Sequence, residues 1–154
     1  MTPEETIPLL NDLIRTCKDG EAGYRAAEAG VKNTELQTVF AGYAKQRAEF
    51  ARQLQAEVER LGGTPIDDGT VTGTLYRGWM NLKSALSGGD DVAIIASCET
   101  GEDSAAAAFE RVADMNISGK TKSLVDSQWE KIKEAHSRME RLNEETAAHF
   151  PKND

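Results

Sequence analysis

TELQTVFAGYAKQRAEFARQLQAEVERLGG, residues 34–63, runs from a threonine to a glycine pair without a proline. Leu36, Val39, Tyr43, Phe50, Leu54 and Leu61 recur at steps of three and four or their sum, and Gln46 interrupts the row. That is the period of an amphipathic helix. Thr34 and Gln37 have capping-box spacing, and Gly62-Gly63 is a helix stop. Ala, Glu, Lys, Gln, Arg and Leu dominate, all good helix formers. The stretch therefore predicts one long helix over 34–61.

The same pattern extends on both sides. Only Pro3, Pro8, Pro65 and Pro151 break the chain, and alternating β-branched runs are missing. A first helix is expected over about 6–30, with Thr6 as N-cap, because a start at Thr2 would set Pro8 too deep. A short amphipathic segment follows over about 75–86, with Trp79, Leu82 and Leu86 on its apolar side. Asp90 or Asp91 caps a third long helix over about 90–116, and a fourth spans about 121–148. Two short connections flank a long one at residues 62–89. The expectation is an all-α, ferritin-like four-helix bundle, one domain over 1–154, with a long crossover carrying a short extra helix. An up-down bundle with a loose insert is the alternative. The apolar side of the 75–86 segment argues for packing on the outside of the bundle.

Composition bounds what such a bundle does. At 154 residues and 39% hydrophobic, the chain suits a single globular domain. Its net charge of −8 and pI near 4.9 disfavour phosphate backbones, so no nucleic-acid partner is expected. No apolar run approaches the roughly 20 residues that span a bilayer, and no signal peptide is read, so the expected setting is cytoplasmic and without a membrane partner. Two cysteines, Cys17 and Cys98, are too few for a disulfide scaffold and lack zinc-type spacing. Dinucleotide and phosphate loops are missing, and His136 and His149 have no nucleophile context.

Each helix stripe carries one polar interruption. They are Glu21 in the row Ile7, Leu10, Ile14, Cys17, Tyr24, Val31; Gln46 in the second helix; Glu102 in Ile95, Cys98, Ala105, Phe109, Val112; and His136 in Val125, Trp129, Ile132, Met139. All fall near mid-helix, so in an antiparallel bundle they should meet in one layer. Buried groups of this kind must satisfy each other, hold a metal or surround water. Glu49, Glu99 and Lys133 lie one turn away. A dinuclear bundle site takes Glu-x-x-His from two helices, whereas Gln46-x-x-Glu49 and Lys133-x-x-His136 stand here. One ion, or none with Lys133 paired to a carboxylate, fits better. Gly20, Gly23, Gly42 and Gly101 lie at the same depth and read as close helix approach or room for a ligand. Tyr24, Tyr43, Trp129, Phe109 and both thiols read as core, Lys18, Asp19 and Asp103 as surface pairs, and His149 as tail.

The stretches LNDLIRTCKDGEAGYRAA (10–27), YAKQRAEFARQLQAEVERLGG (43–63), RGWMNLKSALSGGDD (77–91), CETGEDSA (98–105) and KEAHSRM (133–139) resemble the bacterial domain of unknown function 2383. The resemblance covers nearly the whole chain. It implies a ferritin-like fold and brings no established activity. Distant ferritin-like relatives bind iron or manganese through mid-bundle carboxylates and histidines. Glu21, Glu102 and His136 match that pattern, Glu49 and Glu99 are within its reach, and Gln46 and Lys133 depart from it.

The leading functional expectation is one iron, manganese or zinc ion held among Glu21, Gln46, Glu49, Glu99, Glu102 and His136, with no assigned reaction. The alternative is a non-enzymatic stress-linked or protein-interaction module whose polar core is structural. A small organic ligand beside the glycines is the third reading. Tyr76 and Trp79 on the crossover are expected either to pack on the bundle or to form a homodimer patch.

Overall fold

A computed structural model describes residues 1–67, 79, 82–88 and 90–149. Among these, five helices follow in order and no strand occurs: α1 (Pro3–Gly30), α2 (Thr34–Arg60), α3 (Leu82–Gly88), α4 (Asp91–Ala113) and α5 (Gly119–His149). The helices α1 and α2 pack as one hairpin and α4 and α5 as the other, with α1 against α4 joining the two. Helix α3 lies on α4 and α1. The all-α bundle is thus as expected. The start of the expected 75–86 helix falls outside the described residues, and its remainder is α3, shifted towards Gly88.

Two ends differ from expectation, each for a local reason. Helix α1 starts at Pro3, not Thr6, with Thr2 as N-cap accepting from the Glu5 amide. Proline fits that first position because its missing N–H has no partner to lose there. Pro8 lies inside the helix on an exposed face, where the carbonyl it leaves unbonded meets water. Helix α2 is capped by Asn33, whose side chain accepts from the Leu36 amide, and Gln37 instead donates to the Val31 carbonyl. The expected box at Thr34 does not form. At the far end Gly62 takes φ +90 and the Gly63 amide returns to the Val58 carbonyl, the left-handed stop the glycine pair suggests.

Asp90 caps α4, while the adjacent Asp91 accepts from the Lys32 and Asn33 amides at 2.9 and 3.1 Å. That carboxylate ties the α1–α2 turn to the start of α4.

The apolar interior forms two clusters. One gathers Leu10, Ile14 and Cys17 with Leu54, Phe109 and Ile132. The other gathers Tyr24 and Ala27 with Phe40, Trp79, Cys98 and Met139. Along α2 the clusters are separated at Arg47, and along α4 at Glu102. A polar waist therefore lies at the depth expected from the stripes.

Candidate functional site

The waist is built from residues that the helix phases place inward. On α4 the buried row is Ile95, Cys98, Glu102, Ala105, Phe109 and Val112, as expected. On α2 the buried residues are Phe40, Ala44, Arg47, Phe50, Ala51, Leu54, Glu57 and Val58, so Phe50 and Leu54 are inward as expected. The first half of the row expected there, Val39, Tyr43 and Gln46, is one position early. One position is about 100° of helix, enough to move Gln46 to a flank and bring Arg47 inside. On α5 the inward residues are Val125, Gln128, Ile132, Ala135 and Met139, so Trp129 and His136 fall on the flank. On α1, Gly20 and Tyr24 face inward and Glu21 is half-buried.

Of the six residues expected around one ion, only Glu102 is in the core. Glu21 pairs with Arg25 at 3.5 Å on the α1 surface. Gln46 accepts from Arg47 Nε at 3.3 Å. Glu49 is exposed and paired with Arg52. Glu99 accepts from Asn143. His136 lines a surface groove with Trp129 and Lys133, its Nε2 2.5 Å from Asp103 and its Nδ1 3.2 Å from Glu140. Lys133 pairs with Glu130 rather than a core carboxylate. Among the described residues, no three His, Cys, Asp or Glu side chains form a group able to hold a metal ion.

What meets in the core instead is Tyr24, Arg47 and Glu102, from α1, α2 and α4. The Tyr24 hydroxyl and Arg47 Nη2 both donate to Glu102 Oε1, the latter at 2.5 Å. The guanidinium carbon also lies 5.4 Å from the Tyr24 ring centroid. All three side chains are fully buried. The pairing is incomplete, because Glu102 Oε2 and Arg47 Nη1 are buried without a hydrogen-bond partner. Removing one member of such a pair costs about 3–5 kcal/mol, whereas replacing the whole set by apolar groups of like volume is often neutral or stabilising.

Three groups around the pair are held protonated at neutral pH. Burial, then the Glu102 charge, pushes the Tyr24 phenol well above its ordinary 10.0. Burial pushes the Cys17 thiol up to about 12, with Arg47 pulling the other way. Burial and Glu102 together raise the Cys98 thiol. A thiol without accessible thiolate is a poor nucleophile and a poor metal ligand. For Arg47, burial works against the charge, and Glu102 and Tyr24 outweigh it.

The mid-helix glycines find their purpose in this neighbourhood. A Cβ on Gly23 of α1 or Gly101 of α4 would overlap the Trp79 indole. Trp79 is 1% exposed and meets the Tyr24 ring edge-on at 5.0 Å. A Cβ on Gly20 would lie 3.2 Å from Arg47 Nη1, and Gly42 faces open space. Gly23 and Gly101 thus close the helices around the Trp79 indole. Tyr76 lies outside the described residues, and Trp79 packs inward on the bundle, one of the two placements expected for it. Asp19, expected at the surface, is 4% exposed. The side chain of His149 lies outside the described residues.

Arg47 was legible as a core residue only from the correct α2 phase. Phe40, Ala44, Ala51 and Val58 carry that phase in the sequence. The alternative row with Val39, Tyr43 and Gln46 has equally good spacing.

No curated protein matches the chain. A family profile matches residues 5–115, covering α1 to α4 and stopping before α5. The chain belongs to the family described as domain of unknown function (DUF2383).

Proposed function

We propose that this chain is a non-catalytic helical module, of ferritin-like arrangement, that serves protein interaction or a stress-linked role, with a structural polar waist. The observation that carries this reading is the matching of Glu102 by Arg47 and Tyr24 within the chain itself. A carboxylate already neutralised by a guanidinium has little electrostatic reason to recruit a cation. The ferritin-like arrangement is supported by the two helix hairpins and by α3 between them. A reducing, cytoplasmic setting in a bacterial cell is consistent with two free buried thiols.

A one-ion centre is the competing reading. The donor set does not fit it: Glu102 faces Arg47, and Glu21, Gln46, Glu49, Glu99 and His136 each have another partner on a flank. No reaction step is assigned to a metal.

The test is metal analysis of protein purified from cells grown with added iron, manganese and zinc. The expected content is below about a tenth of an equivalent per chain, and Glu102→Gln leaves it unchanged. Near one equivalent in the parent, lost in Glu102→Gln protein that remains helical, would overturn the reading.

A further inference from the structure

We draw no further inference here: the strongest candidate, the groove at the bundle end between α2, α4 and α5 lined by Leu36, Val92 and Ile95 with Asp90 and Asp91 beside them, carries nothing because both aspartates already accept from backbone amides and nothing among the described residues shows what covers it.

Discussion

Replacing Gly101 by alanine tests the seating of Trp79 most directly, because two effects of opposite sign act at one atom. Alanine in a helix interior is favoured over glycine by about 1 kcal/mol. Against this, the new Cβ would overlap the Trp79 indole, which is closed in by Gly23 and Tyr24. Complete displacement would forfeit the burial of roughly 150–250 Å², or about 4–6 kcal/mol at 25 cal/mol/Å². A partial shift has the usual overpacking cost of about 1–3 kcal/mol. A net destabilisation of about 0–2 kcal/mol is therefore expected for Gly101→Ala when the ring shifts rather than leaves. In a Trp79→Ala background the obstruction is gone, and the same substitution should stabilise by about 1 kcal/mol. Urea unfolding of the four proteins of this cycle, followed by circular dichroism, measures both numbers. A Gly101→Ala effect of the same sign and size in both backgrounds would mean that the glycine is not there for the indole, and the account of that seating would fail.

Other outcomes follow from the same geometry. Arg47→Met alone should cost about 3–5 kcal/mol, while the triple change Tyr24→Phe, Arg47→Met, Glu102→Leu should be close to neutral by urea unfolding. Glu57 accepts from Arg60 and, at 2.7 Å, from Thr121 across to α5, and these bonds, the Arg60 one first, hold its carboxyl below the ordinary 4.5. A carboxyl lowered on folding stabilises above its unfolded value, so stability should fall as pH drops through 4.5, and Glu57→Gln should flatten that part of the profile. Asp91→Ala removes the acceptor of two backbone amides and should cost about 1–2 kcal/mol of stability, measured the same way.

The architecture was readable because each long helix has a stripe repeated over many turns, and such repetition survives errors at single positions. The waist was readable as a depth for the same reason. Its membership was not, because membership depends on helix phase. On α4, small residues leave one unambiguous row through Ile95, Glu102 and Phe109, and Glu102 was placed correctly. On α2 two rows one position apart are both largely apolar, with Tyr43 beside Ala44, whereas on α5 Val125, Ile132 and Met139 face inward as expected and only Trp129 and His136 give way to their neighbours Gln128 and Ala135. Large side chains drew the choice to the wrong row. In the structure, Tyr43 and Trp129 cover the flanks while Ala44 and Ala135 let the helices approach. The wrong phase replaced an arginine with a glutamine and an alanine with a histidine, which turned an internally neutralised pair into an apparent ligand set. The start of α1 failed differently, since the rule against interior proline weighs less where the affected carbonyl is solvated. The role of Gly23 and Gly101 depended on a contact with Trp79, distant from both in the chain, that no local pattern encodes.

The division of the interior at Arg47 and Glu102 bears on how the protein can vary. Each apolar compartment is filled by its own set of side chains, and a charged partition stands between them. A change of volume beside Leu54 or Phe109 need not be answered by repacking beside Phe40 or Met139, so paired substitutions from opposite compartments should combine almost independently. Drift in one half is thereby freed from the other half, provided that the partition itself is inherited intact.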